Sequence, residues 1–375
     1  MTDTQQKNEV RIASPGRINL IGEHIDYNGG FVLPAAIDKR IYFHLKKNNT
    51  HTAKIYSKNM DKEFSFSLEN VHPSKTEWHN YILGVVHHIH QLKPNSIQGF
   101  DCDIESNLPL GSGVSSSAAL ECGIAKGLNE LFSIGLTDLE IITISRDAEH
   151  SFVGTKCGIM DQFAVVKGKK DHLLLLNCDT LEHRLIKADF GDYQIILLNT
   201  NVSHNLATSE YNNRREECEN ALKVIQEKYP NEKYLAQVSP EKVEEFKPNL
   251  SEKSFNRALY TSQEQQRTIN ATKALEQKDF KTFGELLYQS HEGLANLYEV
   301  SCTELDFLVN YTKNIPEVIG ARMMGGGFGG CTLNLVHKDA TAGFITKIEA
   351  AYKNEFNLTL TPIIVAIGDG VSIQY

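Results

Sequence analysis

The stretch of sequence richest in reactive side chains is SPGRINLIGEHIDYNGGFVLPAAI at 14 to 37, which clusters Arg17, Glu23, His24 and Asp26 among glycines. Carboxylates two or three residues apart on a turn each accept hydrogen bonds from polyol hydroxyls, which pair poorly with apolar walls. A solvated acidic turn is the plainer reading of any charged loop. Here Ile18, Leu20, Ile21, Phe31, Val32 and Leu33 crowd the charges. Such surroundings would bury them in part, and buried charges need partners. A sugar-like ligand fits.

A second stretch, PLGSGVSSSAALECG at 109 to 123, sets Gly111, Gly113 and the serines Ser115, Ser116 and Ser117 directly before an amphipathic helix. Glycines let the backbone approach an anion, a helix N-terminus presents unpaired N–H groups to it, and serine hydroxyls add donors or a metal ligand. An ordinary Gly/Ser loop with a serine cap is the alternative. The Walker A pattern and the protein-kinase HRD and DFG motifs do not occur.

Asp161 stands alone in KCGIMDQFAVV at 156 to 166, among apolar and small residues. It reads either as a helix cap or as a general base near a sugar hydroxyl, with an arginine alongside to neutralise developing charge. Nothing in the sequence brings Arg17 to it. Glu149 follows Arg146 by three residues, which suits an intrahelical ion pair. The other reading of Glu149 is a metal-site carboxylate opposite the serine loop.

Near the end of the chain, GARMMGGGFGGCTLNLV formally matches G-x-G-x-x-G, but a strand follows where a dinucleotide site needs a helix. A glycine hairpin or a backbone loop closing on a ligand remains. His87, His88 and His90 have no acidic or cysteine partner at ligand spacing, so no metal is expected there. Arg214 and Arg215 precede Glu216 and Glu217, which suits a solvated helix face.

These residues need a frame. At 375 residues the chain exceeds the length at which one core keeps growing, so two domains with a cleft between them are expected, 1–190 and 191–375. VRIAS at 10 to 14, FVLPAAI at 31 to 37, TAKIYS at 52 to 57, HLLLLN at 172 to 177, QIILLNT at 194 to 200, CTLNLV at 331 to 336 and PIIVAI at 362 to 367 read as strands. Leu120, Ile124, Leu128 and Leu131 recur at helical spacing, and Thr137 with Glu140 forms a capping box opening a helix that runs past Glu149. A mostly helical region spans 210 to 313 and another helix lies near 340 to 353. Strands and helices mix without a βαβ rhythm, which predicts α+β.

The formal charge of −9, from 38 basic and 47 acidic residues without a basic block, argues against nucleic acid as a partner. The opening MTDTQQKNEV lacks a signal-peptide core and the longest apolar runs are strand-sized, so no membrane partner and a cytoplasmic location are expected. Seven scattered cysteines without zinc-type spacing suit reduced thiols.

Taken in order, the three glycine-rich stretches resemble the signatures of the GHMP kinase family. GRINLIGEHIDYNGGFVLPAAI is similar to the galactose-binding signature of its galactose-phosphorylating members, PLGSGVSSSAA to the ATP loop and GGGFGG to the third motif. WHNY at 78 to 81, CGIMDQF, HNLATSEYNNRR at 204 to 215 and YEVSCTELD at 298 to 306 extend the likeness over most of the chain. The resemblance implies a two-domain GHMP kinase fold. Its N-terminal domain would be of the ribosomal protein S5 domain 2 type and its C-terminal domain ferredoxin-like, with the active site between them.

It also implies transfer of the ATP γ-phosphoryl group to the C1 hydroxyl of galactose, with Mg²⁺, in a monomer, as the entry to galactose catabolism. By match to the family's motifs, Arg17 and Asp161 are the catalytic pair. Glu23, His24, Ile25, Asp26, Gly158 and Tyr211 fall at the sugar site. Ser57 and Gly111, Ser112, Gly113, Val114, Ser115, Ser116 and Ser117 fall at the ATP site, with Ser117 and Glu149 as the magnesium ligands. Ile25 stands where most galactose-phosphorylating members carry Thr, and N-acetylgalactosamine kinases share it. N-acetylgalactosamine and arabinose are therefore the alternative substrates, and a non-catalytic galactose sensor is the alternative of another class.

Overall fold

The computed structural model describes residues 8–109, 111–203 and 207–374. The first seven residues, Leu110 and the start of the HNLATSEYNNRR patch at 204 to 206 lie outside the described residues. The chain runs through β1 (Glu9–Asn19), β2 (Phe31–Val32), β3 (Pro34–Lys47), β4 (Thr52–Ser57), β5 (Lys62–Ser67), α1 (Glu77–Leu92) and β6 (Phe100–Ser106). Then come α2 (Ser116–Phe132), α3 (Asp138–Ala148), a π-helical turn at Glu149–Val153, α4 (Met160–Lys167), β7 (His172–Asn177), β8 (His183–Lys187) and β9 (Tyr193–Ser203). The remainder is α5 (Ala207–Gln226), α6 (Pro240–Glu245), α7 (Glu252–Glu276), α8 (Phe280–Asn296), α9 (Thr303–Thr312), β10 (Val318–Met323), β11 (Gly329–His337), α10 (Thr341–Phe356), β12 (Thr361–Val365) and β13 (Ser372–Gln374).

The strands form a six-stranded sheet in the order β13-β1-β3-β6-β4-β5, a four-stranded sheet β10-β11-β9-β12 and a small sheet β2-β7-β8. Alternation makes β4 bury every second residue, as a strand with one solvated face must. Helix α2 lies on the first sheet, where Gly123 and Gly127 face the side chains of Phe43 and Leu45 closely enough that a Cβ would collide with either. The stretch 31 to 37, expected as one strand, breaks at Leu33. The Leu33 amide donates to Ile21 O at 3.2 Å and Pro34 has none to give, so the ladder cannot continue through them.

Three local features aim the reactive side chains. The β1–β3 register shifts between Pro15 and Arg17, and a bulge of this kind turns a side chain out of the sheet's alternation. The capping box at Thr137 and Glu140 starts α3 as expected, and the helix then widens into the π-turn that carries Glu149. Single π-turns recur at functional sites because they change which residues share a helix face. Helix α7 clamps the turn after β1, since Glu264, fully buried, accepts from Gly22 N at 3.0 Å and from Ser290 Oγ at 2.6 Å. The chain end returns to the first half, with β13 pairing antiparallel to β1.

Candidate active site

Arg17 and Asp161, separated by 144 residues, meet in a two-point ion pair: Nε donates to Oδ1 at 2.7 Å and Nη2 to Oδ2 at 2.8 Å. Asp161 sits in the first turn of α4, and its side chain caps nothing there. The third guanidinium nitrogen donates to Gly113 O at 2.6 Å, tying the pair to the glycine–serine loop. Ser115 Oγ also donates to Asp161 Oδ2. Arg17 is buried, and although desolvation opposes its charge, Asp161, Glu23 and Asp26 more than offset this and raise its pKa.

On one side of this pair opens a cavity lined by Glu23, His24, Asp26, Glu149, Cys157, Gly158, Tyr211, Gly325 and Gly326. Both Glu23 oxygens are held, Oε2 by Asn19 Nδ2 at 2.7 Å and Oε1 by Gly325 N at 2.6 Å, with Arg322 Nη2 at 3.3 Å. His24 is neutral, because burial lowers its pKa to about 3. Gly326 O can only accept, so His24 Nε2 is the donor at 3.2 Å and Nδ1 accepts from the Tyr27 hydroxyl at 2.8 Å. Tyr298 then donates to Tyr27, and Cys218 Sγ to Tyr298, which gives every member of this buried chain a partner. Tyr211 closes the wall with its ring 5.1 Å from that of His24.

Asp26 faces Gly158, and a Cβ on Gly158 would lie 1.9 Å from Asp26 Oδ2. Only glycine leaves room for that carboxylate. Gly158→Ala should therefore push Asp26 out of place and weaken binding of a hydroxyl-rich ligand in this cavity by about 10-fold or more, the effect of displacing one charged hydrogen bond. Binding of an anion at the glycine–serine loop should stay unchanged. Titration with each ligand in turn checks this.

Burial, then Asp161, raises the Asp26 pKa from 3.8 to about 7. Between those values the folded protein holds a proton that the unfolded chain releases, so this group makes stability fall as pH rises. His24 acts in the opposite sense, adding stability as pH rises from about 3 to 6.5. Asp26→Asn removes the first slope only. Its unfolding free energy, measured by urea titration without ligands, should therefore climb relative to the parent as pH goes from about 4 to about 7.

On the other side of the pair lies the loop. Gly111, Gly113 and Ser115 all have positive φ, of 67°, 71° and 56°. A Cβ on Gly325 would sit 3.1 Å from Gly113 O, so the third glycine stretch closes against the serine loop as a backbone-lined wall. Beyond it an apolar cavity is lined by Ser57, Met60, Trp78, Tyr81, Ser116, Ser117 and Leu120. Glu149 lines the polar cavity, is buried, and accepts from Gln162 Nε2 at 3.0 Å, from Cys157 Sγ at 3.4 Å and from Ser117, which lines the apolar one. Burial, then Asp161, raises its pKa to about 7.

The expected site residues thus converge, with one exception. Ile25 is fully buried and packs toward Gly30, so its side chain belongs to the core rather than to the cavity wall. Two plain readings are corrected. Arg146 pairs with Asp147 at 2.7 Å and leaves Glu149 to the site. Arg214 is buried, not solvated, and donates to Tyr298 O at 2.8 Å and Glu299 O at 2.9 Å. The supports Asn19, Arg322 and Glu264, and the wall residues Trp78 and Tyr81, had no role assigned from sequence. The polar and charged members of β1 and β10, lying among apolar neighbours, were the available signal.

Comparison with known proteins agrees with this geometry. The galactokinase galactose-binding signature matches residues 3–47, the GHMP kinases N terminal domain residues 80–169 and the GHMP kinases C terminal domain residues 271–354. A galactokinase of Clostridium acetobutylicum is 41% identical over 361 residues, covering 95% of this chain and 92% of the relative. One from Thermotoga petrophila is 38% identical over 362 residues, covering 96% and 99%. Among solved structures, Lactococcus lactis galactokinase complexed with galactose superposes with a TM-score of 0.94 at 34% identity, covering 98% of this chain and 95% of that one. A likeness that runs almost end to end, through both glycine loops and the pair between them, makes this chain a member of the galactokinase family of GHMP kinases.

Proposed function

We infer that the protein transfers the γ-phosphoryl group of ATP to the C1 hydroxyl of galactose, releasing galactose 1-phosphate and ADP. The observation that carries this reading is the Arg17–Asp161 pair, standing where the polar cavity meets the serine loop. In the polar cavity, Glu23, His24, Asp26 and Tyr211 receive the sugar. Asp161 accepts from or orients the C1 hydroxyl, and Arg17 offsets the charge that develops on the transferring group. The loop from Gly111 to Ser117, at the start of α2, takes the phosphates. The apolar cavity with Ser57, Trp78 and Tyr81 suits a flat purine. Positioning and electrostatics supply most of the rate in such transfers.

The residues also fit Mg²⁺. Glu149 is a buried carboxylate facing the like charge of Asp161, short of a cation, with the Ser117 hydroxyl beside it. Among the described residues no group of three or more His, Cys, Asp or Glu forms a ready-made metal cage. That suits an ion taking one or two protein ligands and completing its shell with phosphate oxygens and water. Ser117 and Glu149 would hold it, and when bound it draws negative charge from the phosphates.

We place the domain division near residue 190, with β13 returning across it, and take the enzyme to be a cytoplasmic monomer. Among the described residues no helix is long and apolar enough to cross a membrane. A sensor that binds the same ligands without turnover would have no use for an ordered Arg17–Asp161 pair. A coupled assay over galactose, N-acetylgalactosamine and arabinose, with NMR of the product, tests the reading. Galactose 1-phosphate is the expected main product. A preference for another sugar, or phosphate on another carbon, overturns it.

A further inference from the structure

Tyr27, Tyr298 and Cys218 take no part in the chemistry above, and none of the three lines the polar cavity. They join His24 in a single line of hydrogen bonds. Cys218 Sγ lies 3.1 Å from the Tyr298 hydroxyl, which lies 2.8 Å from that of Tyr27, which in turn lies 2.8 Å from His24 Nδ1. At the far side of the ring, Nε2 meets Gly326 O at 3.2 Å. Tyr298 and Cys218 are fully buried, so solvent is not at hand to replace a hydroxyl lost there. His24 itself sits at a φ of 60°, a left-handed backbone that side-chain-bearing residues seldom adopt, with its carbonyl held by Asn28 Nδ2 at 2.9 Å. Strain of this kind persists where the surroundings over-determine it, and it gathers at ligand clamps.

The direction of this line is forced from one end. Gly326 O only accepts, so Nε2 of the neutral ring carries its proton and Nδ1 is bare. Tyr27 must spend its one proton on Nδ1, which leaves its oxygen to accept from Tyr298, whose oxygen accepts from Cys218 in turn. We propose that Tyr27 and Tyr298 are positioning residues for the sugar: their hydroxyls, donating in series, fix the tautomer of His24 and pin its ring in the cavity wall. A ring held at both nitrogens cannot flip, and Nε2–H stays a donor beside Gly325 and Gly326, where a sugar oxygen can share it. In the other tautomer, two lone pairs would face each other between Nε2 and Gly326 O. That repulsion would disturb the glycine wall whose Gly325 N holds Glu23 Oε1 at 2.6 Å. The inference rests on the reading of the polar cavity as the sugar site. Tyr27 and Tyr298 act on the sugar only through His24.

Nitrogen NMR and steady-state kinetics test the proposal together. In the ligand-free protein with ¹⁵N-labelled histidine, the ring signals that vanish in His24→Gln belong to His24. They should show a protonated Nε2 and a bare, hydrogen-bonded Nδ1 at neutral pH. Tyr27→Phe removes the donor, so the Nδ1 signal should move toward that of a free bare nitrogen. The KM for galactose should rise by about 10-fold, with kcat and the KM for ATP within a few-fold of the parent. Tyr298→Phe leaves Tyr27 its donor role but unsupported, and should raise the same KM a few-fold. A merely structural role would lower Tm and leave both the Nδ1 signal and the KM of the folded enzyme as they were. A protonated Nδ1 in the parent overturns the relay, whether or not the variants fold. A folded Tyr27→Phe with parental KM overturns the positioning role, and if it does not fold, a parental KM in Tyr298→Phe does so. If Asp26→Asn also leaves the galactose KM unchanged, the sugar reading of the cavity has failed. The positioning role then falls with it, while the ring signals still report the relay.

Discussion

Asp161→Asn is expected to lower kcat by roughly 10²-fold or more while leaving the KM for galactose within a few-fold of the parent, the split expected of a group that acts on the proton. The argument is geometric. Both Asp161 oxygens accept from Arg17, and Oδ2 also accepts from Ser115. Asparagine keeps one acceptor but turns an amide donor toward a guanidinium that can only donate. The charge opposite Arg17 is lost as well. Glu23, His24 and Asp26, which we propose receive the sugar, are anchored separately, through Asn19, Gly325, Gly326 and Met160, so binding should survive. Single-turnover measurement of the chemical step, beside steady-state kinetics, decides the matter. A near-normal rate would remove Asp161 from the chemistry.

Much of this arrangement was legible because local signals and global fold agree. β4 and β7 occupy the residues that alternation and apolar runs point to, and the Thr137 capping box starts α3 where expected. Short strands with polar or mixed faces, such as β5, β8 and β13, carry too little periodicity to be read, and exist because neighbours supply their ladders. The site followed the same division. Residue types in the two loops announced phosphate and polyol chemistry, whereas the meeting of Arg17 and Asp161 across 144 residues depends on a bulge and on the start of α4, neither marked by composition. Arg214 misled for a physical reason. An Arg-Arg-Glu-Glu run looks solvated on any helix, yet here the first arginine satisfies two backbone carbonyls of the α8–α9 connection from a buried position.

The acid-rich character of the site follows from the same packing. Glu23, Asp26, Glu149 and Asp161 line one cavity with Arg17, and burial with mutual repulsion raises Asp26 and Glu149 to about 7. Such a cluster is destabilising when empty of cations and is relieved by a bound ion and by hydroxyl donors. Ligands that bind the folded state alone stabilise it by mass action. The cost of gathering these groups is thus offset when substrates arrive, which links the strain of the free site to the polyol and metal-bound phosphate that we propose it takes.

Arg17→Lys should be nearly as damaging as Arg17→Met, with kcat reduced by roughly 10³-fold, the lower end of what a transition-state arginine contributes. Arg17 spends three nitrogens on three acceptors, Asp161 Oδ1, Asp161 Oδ2 and Gly113 O. An ammonium keeps the charge but has one nitrogen and no planar fork, so it cannot hold Asp161 and the serine loop together. Leaving a buried partner unmet should also lower stability, by about 1–3 kcal/mol, visible as a drop in Tm. The sharper test is the double variant Arg17→Met with Asp161→Asn. Were the two groups independent, their losses would multiply to roughly 10⁵-fold. Groups that work as one device are grossly non-additive, so the double variant should be scarcely slower than the slower single one. Multiplying losses would mean that the ion pair is a structural coincidence, with Arg17 serving the phosphate and Asp161 the sugar by separate routes.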